Sequence, residues 1–538
     1  MASVRRALDR IAMDSDIGAV TGLVLLPHGV IGQAGGIIWR DGTCEEDLRG
    51  QSPLAPEANF VRSVGFGSPA CLLVRAELLA RLDGFSTETR EPGPACVDLC
   101  LRIAGAGARV VYDPAVAVFH DDTADRPGKP DDAFLSRHAE ALGQRPVQAG
   151  PARAAARQAG TAPQRVLFIE DTVPLRRLGS GFVRANDLVR VMADLDMHVT
   201  VFPVNGSTHE IARIYRDMPD TAEVLHDRAA DRLKELLLAR PGFYDAIWIA
   251  RTHNLDRVAA DLRKWLPEQA ARPLVVLDTE AVAPLREAQH AALRGMPFDL
   301  EAALRDAFRN ADLADVLVTV SDNEARFLRE RGYGPVLVAG HMIEPHDAEQ
   351  GFFQRAGMLF VGAIHTTESP NYDSLVWFVD EVLPRIETVL GWETRLTIVG
   401  YTAPDVSLER FRRHPRITLR GEVGNLAPLY NNHRVFIAPT RFAAGTPYKI
   451  YEAASWGVPV VATDHLCHAM GWMGGEDIMS APADPAAFAA AVIALHQHQA
   501  LWSHVRESAR SRLRKENERS GFVAAVRRIL GSPRRNDR

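Results

Sequence analysis

From position 165 onward the chain alternates short apolar runs with longer stretches in which apolar residues recur every three or four positions. RVLFI at 165–169, HVTVFP at 198–203, AIWIA at 246–250, PLVVLD at 273–278 and VLVTV at 316–320 read as strands buried on both faces. Between the first two, a helix is expected from about Val183, with Leu188, Met192 and Leu195 on one face. The pattern starts again with MLFVG at 358–362. A helix follows, expected to be capped by Asn371 and to bury Leu375, Phe378, Val382 and Ile386, and then the runs RLTIV, VFIAP and PVVAT. Short apolar strands separated by amphipathic helices argue for doubly wound parallel sheets, and the restart argues for two of them.

The segment from about Gln144 to Gln164 is rich in Ala, Pro, Gly and Arg, lacks apolar periodicity and reads as a linker. The expected organisation is therefore a front piece (1–143), a linker (144–164), a middle domain (165–347) and a third domain (348–538). A chain of 538 residues with 46% hydrophobic and 24% charged positions has ample core for this. Sixty-two basic and 68 acidic residues leave a net charge of −6, which offers no general attraction to nucleic acid or an anionic membrane. Five cysteines without CxxC spacing indicate neither a disulfide framework nor a zinc site, and a reducing cytoplasm is expected. The first residues, MASVRRALDRIAMDSD, contain no apolar h-region, and no run approaches the length that spans a bilayer, so membrane association is expected to be at most peripheral, at the inner membrane face.

Candidate chemistry concentrates in GTPYKIYEAASWGVPVVAT, Gly445 to Thr463. A Gly-Thr-Pro turn opens a short helix with Lys449 and Glu452 three apart on one face. Gly457 ends the helix and Pro459 leads into a buried strand. A helix N-terminus has free N–H groups and a positive dipole end, and a lysine one turn in adds a full charge, so the segment suits a phosphate, with a carboxylate beside it for sugar hydroxyls. An ordinary helix with a solvated Lys–Glu pair is the other reading of the same spacing. Two further loops stand at strand ends, where open α/β sheets bind ligands. Gly179-Ser180-Gly181 lets backbone approach a pyrophosphate or an acceptor, or is a simple turn into a helix. Arg251, His253 and Asn254 follow AIWIA, with His253 either touching a donor or satisfied within its loop. Ser321 and Glu324 read as a capping box, Ser321 bonding the amide of Glu324 and Glu324 reaching back.

The Gly445–Thr463 segment resembles the donor-site signature of family-four retaining glycosyltransferases, enzymes of the GT-B fold with two Rossmann-like domains. Glu452, Ala453, Ala454, Gly457, Pro459, Val460 and Val461 match the second half of that signature. The signature's first glutamate falls at Ala444. Arg441, Gly445, Thr446 and Lys449 are similar to a variant seen in bacterial surface-polysaccharide members. The resemblance covers the chain from about Arg165 to near Leu530. It implies an α/β GT-B fold, with Gly179, Gly181, Arg441, Gly445, Thr446, Lys449 and Glu452 around the donor and Lys449, Glu452 and His253 at the chemistry.

The front piece resembles the C-terminal half of a family-two GT-A glycosyltransferase through SPACLLVRAELLARLDGF and CVDLCLRIAGAGARVVYDPAVAVFH. Asp98, Arg102, Tyr112, Pro114 and His120 match, whereas Ala95 and Cys96 stand where that family has an acidic pair. A truncated GT-A-like remnant or docking piece without turnover is expected, with Asp98 and His120 structural or vestigial.

Together these readings imply a retaining transfer of a hexose-type sugar from a nucleoside diphosphate sugar to a growing surface polysaccharide or similar glycan, free or lipid-linked. It needs no metal and no cofactor. N–H groups of Gly445 and Thr446, with Lys449 and Arg441, would stabilise the leaving diphosphate, and Glu452 would hold the ribose hydroxyls. A catalytically silent nucleotide-sugar or glycan-binding protein is the alternative. A nicotinamide oxidoreductase is disfavoured because no G-x-G-x-x-G follows the runs at 165–169 or 358–362.

Overall fold

The computed structural model describes residues 2–86, 91–121, 130–149, 152–158 and 164–534. The chain forms two compact units. One comprises Met1–Pro174, Val189–Trp248 and Arg257–Leu274, and the other Leu175–Leu188, Ile249–Asp256 and Val275–Arg538.

Every apolar run is a strand. A seven-stranded sheet has the order Glu223–Val224, His198–Pro203, Arg165–Glu170, Ala246–Ala250, Leu274–Asp278, Val316–Thr319, Val336–Val338. A six-stranded sheet has the order Ile417–Gly421, Leu396–Val399, Met358–Val361, Val435–Ala438, Val460–Thr463, Met479–Ala481, and its paired strands are all parallel. The short strands at the sheet edges (223–224, 336–338, 417–421 and 479–481) have too few apolar residues to announce themselves in sequence.

The six-stranded sheet shows why its strands read as unbroken apolar runs. Met358, Phe360, Val435, Ile437 and Val461 point into one hydrophobic core, and Leu359, Phe436, Ala438, Val460 and Ala462 point into another. The pleat alternates, but both faces of these central strands are covered, so successive residues are apolar on either side. In each sheet the strand order reverses once, between Arg165–Glu170 and Ala246–Ala250 in one and between Met358–Val361 and Val435–Ala438 in the other. Loops that leave the strand ends at such a reversal diverge and open a crevice. The segments 175–181 and 251–254, and the loop 439–447, follow these strands.

Helix boundaries depart from the sequence expectation in two places. The helix expected from about Val183 starts at Ser180 and runs to Asp194. The helix assigned an Asn371 cap is instead capped by Ser369, whose hydroxyl accepts from the Tyr372 N–H, with Pro370 in the first helical position. Asn371 is thereby freed for another role. Downstream, Phe378–Val382 is a π-helical turn just before Pro384. A proline lacks the N–H that an α-helical turn would use there, which accounts for the wider winding.

Residues from the front piece build a five-stranded sheet around Ile17–Leu25, which pairs in parallel with Arg109–Phe119 and antiparallel with Ile31–Ala34 and Leu72–Val74. Asp98 lies fully buried beneath it and accepts from Arg102 Nε (2.8 Å), Arg137 Nη1 (3.2 Å) and His138 Nε2 (2.9 Å). The arginine and histidine bonds outweigh burial and hold its pKa below the usual carboxylate range. Ala95 and Cys96 are buried in the same helix. Within the segment 152–158, Arg153–Ala156 is a short helix, and Arg157 donates to the buried Asp47, which also pairs with Arg62.

The first unit is further held by Asp113, which is fully buried. Its Oδ2 accepts from Arg6 Nε and Arg10 Nε, each at 2.9 Å, while Oδ1 accepts from the Ala115 N–H. The same two arginines also pair with Asp220, whose backbone oxygen accepts the Val61 N–H at 2.7 Å. Asp113→Ala is expected to cost about 3 kcal/mol, because two guanidiniums lose a partner that was out of water. Asp220→Ala, whose side chain is 41% exposed, should cost under about 1 kcal/mol. Denaturant midpoints of the two variants check the ordering, and equal shifts would refute it.

Candidate functional site

The loop after Val435–Ala438 carries Thr440 to Pro447, and the helix Tyr448–Ser455 follows with Pro447 as its N-cap. The helix thus begins two residues later than a start at Thr446 would place it. Its other end matches the sequence expectation. Gly457 adopts φ +64°, with Gly457 N–H bonded to Ala454 O and Val458 N–H bonded to Ala453 O. This is a Schellman closure, which needs a residue without Cβ strain at Gly457.

Lys449 stands in the first turn of this helix, half-buried. Its Nζ donates to Asn371 Oδ1 at 2.9 Å and to Thr440 Oγ1 at 3.4 Å, and it lies 4.9 Å from the centre of the Phe360 ring. Among the described residues no carboxylate pairs with it. Loss of hydration without a counter-charge pushes its pKa down from 10.5 to about 8. Asn371 is fixed in turn by donating through Nδ2 to Ala363 O at 2.8 Å. Thr440, buried, also accepts from Ser374 Oγ at 3.2 Å.

Glu452, one turn on, accepts from the Tyr430 hydroxyl at 2.8 Å. Burial raises its pKa; the Tyr430 bond and the positive charge of Arg176 oppose that rise. Arg441 makes a two-pronged contact with Asp373 of the helix Pro370–Trp377, with Nε to Oδ2 at 3.0 Å. Its charge is thus compensated within the protein, unlike that of Lys449.

The backbone of the loop is also engaged. Gly445 has φ +71°, and a Cβ there would lie 3.1 Å from the Glu280 carbonyl oxygen and 3.2 Å from the Ala281 Cβ. Its N–H donates to Glu324 Oε1 at 2.9 Å, and the Ala443 N–H donates to Gln289 Oε1 at 2.9 Å. Glu324 therefore does not close a capping box. Ser321 Oγ does accept the Glu324 N–H, at 3.3 Å, but the Glu324 carboxylate turns away to bond Val282 N–H at 3.0 Å and Gly445 N–H. Thr446 follows in the turn leading to Pro447.

On the facing segments, Gly179 (φ +137°) immediately precedes the helix Ser180–Asp194. A Cβ on Gly181 would lie 3.1 Å from Arg251 Nη2 and 3.5 Å from Glu280 Oε2, so Gly181 leaves room for the Arg251–Glu280 pair at 3.3 Å. Arg251 and Glu280 both hold left-handed backbone, φ +71° and +57°, at the ends of adjacent strands. Arg184, 1% exposed, donates to Asp278 Oδ2 at 2.8 Å and to the carbonyls of Ala339 and Gly340. Burial, chiefly, and then the charge of Arg184 push the His341 imidazole down to about 3, so it is neutral where it packs against Tyr448 and Tyr451. His253 is exposed in the first turn of the helix Thr252–Trp265, and Asn254, fully buried, donates to Ala250 O at 2.9 Å.

Asn371, Thr440, Glu324 and Gln289 thus join the site without having been read from the sequence as ligand or loop contacts. Thr440 alone had a usable signal, because it directly follows the apolar run VFIAP, and open α/β folds place ligands at the C-terminal ends of such strands. Among the described residues no cluster of histidine, cysteine or carboxylate side chains could hold a metal, and no helix is long and apolar enough to cross a membrane.

Residues 355–498, which include the 439–447 loop and Lys449, match the family model described as glycosyl transferases group 1. Among curated proteins none matches the chain. Solved structures similar to it include sucrose-phosphate synthase from Thermosynechococcus elongatus, at 15% identity, TM-score 0.50, covering 68% of this chain and 98% of that one. Anabaena Alr3699/HepE in complex with UDP-glucose is similar at 13% identity and TM-score 0.53, covering 69% of this chain and all of that one. A mutant form of S. aureus TarM, in complex with Fondaparinux, alpha-GlcNAc-glycerol and UDP, has the same TM-score and the same coverages at 8% identity. The architecture that these likenesses share with this chain is GT-B, two Rossmann-like sheets, and residues 355–498 are the part that matches the group 1 glycosyl transferase model.

Proposed function

We propose that the protein transfers a sugar from a nucleoside diphosphate sugar to a glycan acceptor, with retention of configuration and without a metal. The observation that carries this reading is the Lys449 ammonium, drawn out of water against two neutral oxygens at the start of a helix, inside the group 1 domain. A site that keeps a cation without its own counter-charge is prepared for an anion. The UDP and UDP-glucose held by the HepE structures and the UDP held by TarM make a uridine diphosphate the first donor to test.

In the proposed step the bond between the sugar's anomeric carbon and the diphosphate oxygen breaks, and the bonding pair leaves with the diphosphate. The acceptor hydroxyl oxygen bonds to the anomeric carbon on the same face, and its proton passes to the departing phosphate. Lys449 stabilises the charge that builds on the diphosphate. Glu452, oriented by Tyr430, takes the ribose hydroxyls, and the facing segment with Gly179, Gly181 and His253 receives the acceptor. A lipid-linked acceptor, and with it peripheral attachment at a membrane surface, belongs to the same proposal. The front piece, whose Asp98 carboxylate is spent on Arg102, Arg137 and His138, takes no part in turnover.

The alternative, a silent nucleotide-sugar binder, draws on Ala444 and on the engagement of Arg441 by Asp373. Incubating the full chain with a panel of nucleotide sugars separates the two readings. Binding with nucleotide release supports transfer, and binding without release supports the silent binder.

Lys449→Met keeps the apolar stem and removes the charge. UDP affinity should fall by about tenfold or more, the effect of a lost charge-assisted bond. The thermal midpoint should hold or rise, since folding no longer desolvates a cation. Calorimetry with UDP and a thermal scan read both, and unchanged affinity would remove Lys449 from the site.

The pH dependence has a definite sign. Because the folded pKa of Lys449 lies below its ordinary value, the cost of burying the ammonium is present below about pH 8 and is relieved as pH rises toward 10.5. Donor binding needs the charged form, so UDP affinity should fall about tenfold between pH 7 and pH 9. Lys449→Arg should flatten that fall. A flat wild-type profile would contradict the assignment.

Since Lys449 supplies the positive charge at the diphosphate, activity should survive excess EDTA. Complete loss on chelation, restored by Mn²⁺, would reject the metal-free mechanism.

A further inference from the structure

Glu324 is 6% exposed, and one of its carboxyl oxygens, Oε1, accepts two backbone N–H groups from segments far apart in sequence, Val282 and Gly445. The other oxygen, Oε2, is buried and has no partner among the described residues. A carboxyl taken this far out of water costs free energy, and burial raises its pKa despite both N–H bonds. Nothing in the helix Asp322–Glu330 requires it, because Ser321 already caps that helix.

What the carboxyl secures is the turn before Lys449. Gly445 donates that bond from a left-handed conformation that side chains with a Cβ rarely adopt, and a Cβ there would press on the Glu280 carbonyl oxygen at 3.1 Å and the Ala281 Cβ at 3.2 Å. Two residues earlier the loop is held again, by Gln289 on the Ala443 N–H and by stacking of Phe442 on His290 at 4.3 Å. Only Thr446 and Pro447 separate this pinned turn from the helix that carries Lys449 four positions on. The direction in which that helix leaves the loop follows from the Gly445 geometry.

We propose that Glu324 is a positioning residue for donor binding: by holding Val282 and Gly445 N–H on one oxygen, it sets the turn that aims the Tyr448–Ser455 helix and Lys449 at the diphosphate. It acts as an acceptor and touches no substrate. The inference rests on the donor-site reading above. The carboxamide of glutamine offers the same acceptor oxygen at the same reach, whereas the aspartate carboxylate keeps the charge but falls one methylene short.

The test uses the full chain and titrates UDP, GDP and ADP by calorimetry, with amide exchange read on peptides covering 443–447. Glu324→Gln should bind the preferred diphosphate within about threefold of wild type, with unchanged exchange. Glu324→Asp should weaken it by roughly tenfold or more, speed exchange at Gly445, and change donor KM more than kcat. If Glu324→Gln folds and yet loses tenfold or more in affinity, the carboxylate acts by charge and the positioning role is overturned. That outcome holds whether or not Glu324→Asp folds. Wild-type affinity in Glu324→Asp would overturn it as well. If the wild-type chain binds none of the three diphosphates, the donor-site reading fails and takes this inference with it; if wild type binds and only the variant pattern fails, this inference alone falls.

Discussion

A lysine ammonium kept partly out of water with no carboxylate paired to it among the described residues is an expensive arrangement, and the candidate site is organised around keeping it. Two neutral oxygens, from Asn371 and Thr440, are the hydrogen-bond partners that Lys449 receives among the described residues. Neutral acceptors orient the ammonium without cancelling its charge. Had Asp373 reached Lys449 instead of Arg441, the charge would have been compensated and the field at the helix N-terminus weakened. Arg441 of the loop and Lys449 of the helix after it are thus divided: one is paired with a carboxylate, the other has only neutral partners among the described residues.

That division depends on the fold. Asn371 reaches Lys449 because Ser369 and Pro370 start its helix directly after the Met358–Val361 strand and its loop, and Thr440 reaches it because its strand is the neighbour across the order reversal. The reversal brings two loops with different chain origins to one sheet edge, which is why open parallel sheets carry their ligands there. On the facing segments, left-handed backbone at Arg251 and Glu280, a charge pair between them, and a glycine where a Cβ would crowd that pair mark a second densely constrained edge. Strained residues of this kind persist only where surrounding contacts over-determine them.

The front piece shows the opposite use of charge. Asp98, Asp47 and Asp113 are all buried and are satisfied by arginines or a histidine. Such groups stabilise a particular packing but have little capacity left for chemistry, since every strong acceptor already has its donors. The contrast with Lys449 is one of satisfaction, not of burial.

The sequence by itself determined the parts that rest on local rules. Period-two strands covered on both faces must be continuous apolar runs, so Arg165–Glu170, Ala246–Ala250 and Val460–Thr463 were legible, and so was the two-sheet plan. Gly457 was legible as a helix end because a left-handed closure tolerates little else, and Lys449 because a helix start with a lysine is a short-range pattern. Only the tertiary structure decided the partners. Asn371, which local spacing suggested as a cap, turned out to hold Lys449. Arg441 was given to Asp373, and Glu324 was pulled from a capping role to the Gly445 turn 121 positions away. Hydrogen bonds between distant loops are set by strand order and by which buried polar groups must find a donor, and neither quantity has a local signature along the chain.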